Sequence, residues 1–401
     1  MMGGGWCESI ESCTSRAFSE RCYVGSSNTS CFLNEPLSNR LPGNLSAFKP
    51  LMNITAIPSL IGARWAGGPA MTDPSTNPLT ASWNYVEISY CSGGSFSGNN
   101  ASTTSVVVNG EKRDLHFRGG RNLDAVIDDL SKRHGLDAAT RVIVTGDSAG
   151  GLATYWHTDR LAARLSQAFV VGVPDSGFFL AVRDLDPGWP TRLQWIAEYM
   201  NSTAYLNQAC VGAALRRGAS PAAACTLPED VAPFMVSPVF AMNSRFDPAL
   251  DSISAGISGG DTAKVNRVGG LVADGINRTV LGTSPLNAAF VTACHEHCGQ
   301  WSQHQVLGAG GKLDDFFVRT PDGTTAPFAL NAWYGAVEGV WRRWRQGRPA
   351  GESAFASTTA LVAALRTDTS LLAQVQAAVG RRWYEQPSSY PCDTCCSGGT
   401  R

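Results

Sequence analysis

Apolar positions along the chain fall into two periods. Short unbroken runs occur at Val142–Val144, within Ala168–Gly177 (AFVVGVPDSG) and within Val236–Phe246 (VSPVFAMNSRF). Runs this continuous suit strands covered on both faces rather than strands with one wet side. Elsewhere the spacing is helical. Leu123, Val126, Ile127 and Leu130 predict a helix over Asn122–Arg133, and Leu152, Tyr155, Trp156, Ala162 and Ala163 predict one beginning near residue 149. Trp83–Cys91 and Ser105–Asn109 read as further strands, Trp333–Trp344 as a surface helix, and Thr358–Val379 as an Ala/Leu-rich amphipathic segment. Strand and helix in alternation predict an α/β fold: a doubly wound, mostly parallel sheet with helices on both faces. Residues 32–80 read as irregular and about 186–235 as a helical and irregular insertion. Residues 251–285 are Gly-rich with one helical stretch, and no repeat is present. At 401 residues the chain is expected to form a single domain, 1–401, around one large core.

The stretch RVIVTGDSAGGLATYWHTDRLAARL, residues 141–165, joins both periods through a Gly-x-Ser-x-Gly turn. A strand, a sharp turn and a helix in that order expose one serine, Ser148, at a helix N-terminus. There the macrodipole and the backbone N–H of Ala149 are suited to a developing oxyanion. A glycine turn at GGGWC, residues 3–7, offers further unencumbered N–H groups at Gly5 and Trp6.

A nucleophilic serine needs a base and a group to orient that base. Six histidines are available. His157 lies nine residues down the helix from Ser148, about 13 Å at 1.5 Å per residue, and so out of reach. His116 and His134 precede the serine, against the order serine, acid, histidine of α/β-hydrolases. His295, His297 and His304 remain, and spacing alone does not separate His295 from His297. The same cluster, CHEHC at 294–298, has the residue types of a zinc site, although ligands so close in sequence do not readily face one ion. For the acid, Asp247 and Asp175 both close a predicted strand. Chain order favours Asp247, whereas Asp147, beside Ser148 in a tight turn, points away from it.

Composition narrows the partners. The formal net charge is −1 and 16% of residues are charged. The single basic cluster, WRRWRQGR at 341–348, reads as a solvated helix face, so neither nucleic acid nor anionic membrane is an expected partner. No stretch is long and apolar enough to span a membrane, and no cofactor is called for. Twelve cysteines are many for a cytosolic chain, and they are joined by Asn-x-Ser/Thr sequons at Asn28, Asn44, Asn53, Asn100, Asn201 and Asn277. Together they favour disulfides and the secretory route, with Cys210 and Cys225 closing a local loop. No signal peptide is read at the start.

Several segments resemble the pectin acetylesterase and Notum carboxylesterase family: GGGWC at 3–7, SWNYVEISYCSGGSFSG at 82–98, LHFRGGRNLDAVIDDL at 115–130, GDSAGGLA at 146–153, PDSGFF at 174–179, NSRFDPAL at 243–250, ACHEHCGQW at 293–301 and SYPCDTCC at 389–396. They span nearly the whole chain in the family's order. The resemblance implies an α/β-hydrolase-like fold with Ser148 as nucleophile, Asp247 as acid, His297 as base and an oxyanion hole near Gly5, Trp6 and Ala149, with no metal. It implies a serine carboxylesterase, monomeric and secreted, removing acetyl groups from an extracellular polysaccharide. CSGGSFSG looks like the plant-type polysaccharide esterases, while PDSGFF and HTDRLAARL look as much like the Notum branch, which acts on a lipidated protein. A relative that binds glycans without catalysis is the alternative of another class. Two departures stand out. Asp147 occupies a position usually Cys or Ser and gives GDSAGG, the form seen in hormone-sensitive-lipase-like esterases. The strand and signal peptide that normally precede the glycine turn are also not in this sequence.

Overall fold

The computed structural model describes residues 5–18, 74–88, 90, 92–257, 260–298, 304–307, 313–316, 318–348, 357–392 and 395–396. Gly3, Gly4, Cys22, Cys31, Cys91 and the sequons at Asn28, Asn44 and Asn53 lie outside them, as does the side chain of His304.

The first pairing is a hairpin of β1 (Thr104–Val108) and β2 (Glu111–Leu115). Its turn is Asn109-Gly110, both at positive φ, 52° and 80°, as a two-residue turn matched to strand twist requires. The central sheet has five parallel strands in the order β3 (Arg141–Asp147), β4 (Phe169–Asp175), β5 (Phe240–Ser244), β6 (Ala288–Thr292) and β9 (Trp383–Glu385). A separate antiparallel pair, β7 (His304–Leu307) and β8 (Leu313–Phe316), lies between β6 and β9 in sequence.

Side chains on the central strands alternate between two cores. Val170, Ala241, Ala289 and Val291 face a core shared with the helices Gly119–His134, Ala149–Arg164 and Gly188–Tyr199. Phe169, Val171, Val173, Phe240, Met242 and Phe290 face the other, shared with Ala326–Gln346, Thr358–Leu365 and Thr369–Val379. Covering on both faces is why these strands read as unbroken apolar runs.

Two predicted elements differ. Residues 84–88 form no strand. The segment is held by side chains: Tyr85 Oη donates to the Thr80 carbonyl at 2.8 Å, and Trp83 packs edge-on against Tyr334 at 5.7 Å between centroids. The last surface helix runs longer than its tryptophans suggested, Ala326–Gln346, and its Trp333, Tyr334, Val337 and Trp341 are buried against the sheet. In the 186–235 region Cys210 pairs with Cys225. Asp159, on the helix after β3, binds that region through Asn207 Nδ2 at 2.8 Å and the N–H groups of Val236 and Ser237.

Candidate active site

Four neighbouring strands, β3 to β6, deliver the candidate residues to their carboxyl ends, the edge at which open α/β sheets bind ligands. At the end of β3, Ser148 has φ 53° and ψ −120°, a strained elbow, and is 5% exposed. Its N–H donates to the Asp175 carbonyl at 3.0 Å, and its own carbonyl accepts from Leu152 N–H at 2.9 Å, opening the helix Ala149–Arg164. The helix passes so close to the exit of β4 that a Cβ at Gly151 would lie 2.6 Å from the Asp175 carbonyl oxygen and 2.7 Å from Gly177 Cα. Only glycine fits there.

Asp247 follows β5 and caps the helix Pro248–Ala255, its Oδ1 accepting from Ala249 N–H at 2.8 Å and Leu250 N–H at 3.3 Å. The same carboxylate faces His297 Nδ1, at 2.9 Å from Oδ1 and 2.8 Å from Oδ2. An acceptor on Nδ1 leaves Nε2 as the ring's basic lone pair. Of the predicted triad, then, Asp247 and His297 meet. Among the described residues Ser148 Oγ makes no hydrogen bond to His297.

The loop after β6 that carries His297 is tied down by residues distant in sequence. Ala293 N–H donates to Gln386 Oε1 at 2.9 Å, Ser244 Oγ donates to the Cys294 carbonyl, and Cys294 forms a disulfide with Cys396. Cys298 N–H donates to Ser176 Oγ at 2.8 Å. Cys294, locked in a disulfide, has no thiolate to offer the zinc site weighed as the alternative for this cluster, and Cys298 is a buried free thiol. His295 instead packs on the Tyr390 ring, at 5.0 Å between centroids.

The carboxyl ends of β3 and β4 place Asp147 and Asp175 in register. Burial, reinforced by the Asp147 charge, pushes the Asp175 carboxyl up to about 8. For His297, burial pulls downward, but the Asp247 charge and hydrogen bond, with Asp175 and Asp147 behind them, outweigh it, and its pKa stands above the ordinary histidine value. Burial among the same three carboxyl groups raises the Cys298 thiol and keeps it protonated.

The glycine turn lies beside this cluster. Gly5 is left-handed at φ 65°, and Trp6 packs edge-on against Phe179 at 4.8 Å, whose ring is 6.1 Å from that of His297. Trp6 Nε1 donates to Ser95 Oγ at 2.7 Å, and Ser95 Oγ donates to the Ala149 carbonyl at 2.7 Å, so a side-chain path links the turn to the first residue after Ser148. Cys7 N–H donates to the Gly93 carbonyl at 3.0 Å, and Cys7 pairs with Cys13.

The remaining histidines stand apart. His157 is buried with Nε2 at 3.1 Å from the Ser95 carbonyl, and burial lowers its pKa to about 4. His116 and His134 are exposed. A groove of ≈ 450 Å³ among Gln208, Arg216, Phe234 and Arg366 is lined by none of the predicted site residues. Sequence reasoning gave no role to Ser95, Ser176 or Gln386. Of these, only Ser176 had a visible signal, an Asp-Ser-Gly closing a strand just as Asp-Ser-Ala-Gly does at Ser148.

A parallel sheet flanked by helices, with a serine elbow at one strand end and an Asp–His pair two and three strands along, defines the architecture of an α/β hydrolase. Drosophila Notum, described as a Wnt deacylase, shares it with a TM-score of 0.59 over 84% of each chain at 20% identity, which speaks to the fold alone. The pectinacetylesterase profile matches residues 64–338, and the chain belongs to the pectinacetylesterase family. It is 32% identical over 249 residues to Arabidopsis thaliana pectin acetylesterase 5, covering 61% of this chain and 48% of that protein. With A. thaliana pectin acetylesterase 7 the identity is 27% over 318 residues, 74% of this chain and 70% of the relative. With the human palmitoleoyl-protein carboxylesterase NOTUM it is 34% over 122 residues, 29% of this chain and 23% of the relative. The chain thus spans about half the length of pectin acetylesterase 5.

Proposed function

We propose that the protein is a serine carboxylesterase that removes acetyl groups from pectin. The observation that carries this reading is the 2.8 Å contact between His297 Nδ1 and Asp247, at the sheet edge where the Ser148 elbow also ends. His297 Nε2 takes the Ser148 proton as Oγ attacks the ester carbonyl, and Asp247 holds the imidazole in the required tautomer and stabilises the imidazolium. The N–H groups of Ala149, Gly5 and Trp6 receive the oxyanion. Collapse of the tetrahedral intermediate breaks the bond to the sugar oxygen, which takes the proton from His297 and leaves as the free hydroxyl. Water then attacks the acetyl-serine by the same route and releases acetate.

Family membership and the two pectin acetylesterase relatives support an acetylated polysaccharide as substrate. The likeness to the human palmitoleoyl-protein carboxylesterase over 122 residues keeps a longer acyl chain as a second reading. Disulfides at Cys7–Cys13, Cys210–Cys225, Cys294–Cys396 and Cys392–Cys395, with exposed sequon residues Asn201 and Asn277, support an oxidising, extracellular setting.

The test is hydrolysis of an acetyl ester, acetylated pectin and an octanoyl ester by the parent and by Ser148→Ala. The reading expects release of acetate from pectin, octanoyl turnover well below acetyl, and a loss of roughly 10⁶-fold in kcat for the variant. Unchanged turnover in Ser148→Ala removes Ser148 from the mechanism. A preference for the octanoyl ester replaces the acetyl reading by the long-chain one.

A further inference from the structure

We propose that Ser176 is a positioning residue for the base, its hydroxyl tethering the loop that carries His297 to the end of β4, beside the Ser148 elbow. This rests on the roles given to Ser148 and His297 above.

The sheet poses a geometric problem. The serine leaves β3 and the histidine leaves β6, three strand spacings away, about 14 Å at 4.8 Å per spacing. The loop after β6 must therefore lean across the ends of β5 and β4 to bring an imidazole near Ser148. Asp247, after β5, holds the ring. The next strand along, β4, holds the backbone: Cys298 N–H, directly after His297, donates to Ser176 Oγ at 2.8 Å. Ser244, Gln386 and Cys396 fix the loop on the other side of His297. On the far side, among the described residues, the Ser176 bond is the anchor.

Ser176 is built for this. Asp147 and Asp175 are the last register pair of β3 and β4, so Ser148 and Ser176 are equivalent positions one strand apart. Both are left-handed, at φ 53° and 47°. Such a backbone costs about 1–3 kcal/mol at a non-glycine residue and persists only where the surroundings impose it. Ser176 is 1% exposed, and its single hydroxyl proton goes to Asp175 Oδ1 at 3.2 Å, leaving the oxygen lone pairs for Cys298 N–H. Cys298 is itself left-handed at φ 67°. Two strained residues joined by a buried hydrogen bond set the exit of the His297 loop. The titratable groups around the imidazole are Asp247 after β5, Asp175 on β4, Asp147 on β3, and Glu296 and Cys298 in the loop itself.

Ser176→Gly is the variant of choice, because glycine accepts φ 47° without strain while removing the hydroxyl. Three quantities are measured: kcat and KM on an acetyl ester, the pH at which kcat/KM rises, and amide exchange at Cys298. The tether predicts a fall in kcat of about 100-fold with KM within about threefold. It also predicts an acid limb moved down toward the ordinary histidine value, as the ring leaves its carboxyl neighbours, and faster exchange at Cys298. A merely structural serine would alter the melting temperature and leave the pH limb and kcat of the folded protein unchanged, and that result overturns the proposal. Should the variant fail to fold, the parent decides: a Cys298 amide that exchanges as fast as an open loop refutes the tether, and one protected like the sheet supports it. A parent without esterase turnover sinks the functional reading and not the tether, since Cys298 exchange needs no substrate.

Discussion

Replacing Asp247 by Asn separates the two jobs of this carboxylate. Its Oδ1 takes Ala249 and Leu250 N–H at 2.8 and 3.3 Å, and its Oδ2 lies nearest His297 Nδ1, at 2.8 Å. The backbone donors cannot become acceptors, so the Asn oxygen must stay with them and the Asn NH₂ takes the place of Oδ2. Asn caps helices about as well as Asp, and the fold should therefore lose no more than about 1 kcal/mol. The imidazole responds differently. Facing a donor, Nδ1 becomes the acceptor, the proton moves to Nε2, and no lone pair remains for the Ser148 proton. Loss of tautomer control of this kind is worth about 10⁴ in kcat, or about 5 kcal/mol of transition-state stabilisation. Asp175→Asn is the matched control. Burial favours the neutral form of its carboxyl, pushed up to about 8, and Asn keeps the oxygen that accepts from Ser176. Its kcat should stay within about tenfold of the parent. Initial rates on an acetyl ester at pH 7.5, with melting curves to verify folding, provide the assay. An Asp247→Asn enzyme within tenfold of the parent, or an Asp175→Asn enzyme as impaired as Asp247→Asn, would refute the assignment of the acid.

Three further expectations follow from the same geometry. Because only neutral imidazole serves as base and the His297 pKa is raised, kcat/KM should rise with pH through an apparent pKa above 6.5; a limb below that value counts against His297 in this environment. The raised Asp175 pKa means that between about pH 4 and 8 the folded chain holds a proton that the unfolded chain has released, so this group makes stability fall as pH rises through that window. Asp175→Asn should flatten that part of the melting-temperature profile, and an unchanged slope would show that Asp175 ionises normally. Breaking the Cys210–Cys225 disulfide by Cys225→Ala opens a loop of sequence separation 15, for which chain entropy gives about 3 kcal/mol; denaturant unfolding should register it while kcat on an acetyl ester stays within about twofold.

Local pattern was sufficient for the parts of this protein whose causes are local. The unbroken apolar runs at β3 and β4 announce strands covered on both faces, and Gly-Asp-Ser-Ala-Gly-Gly announces the turn between β3 and its helix, because a left-handed residue and a close helix crossing demand glycine within a few positions. Cys210 and Cys225 are near enough in sequence for their pairing to be read directly. Other contacts join residues with no relation in sequence. Nothing in the spacing of His295 and His297 tells which one meets Asp247, since that depends on how the loop after β6 leans across two strand ends. Cys294 is nearer in sequence to Cys298 than Cys210 is to Cys225, yet it pairs with Cys396, 102 residues on, because the chain returns beside that loop after β9. Trp83–Ile88 carries the β-branched and aromatic residues of a strand, but a strand also needs a partner edge, and side-chain contacts to Thr80 and Tyr334 hold it instead. The sequence by itself determined the elements and the serine at their turn; the sheet order, by setting which strand ends are neighbours, decided which aspartate and which histidine meet and which second serine holds the loop that carries the histidine.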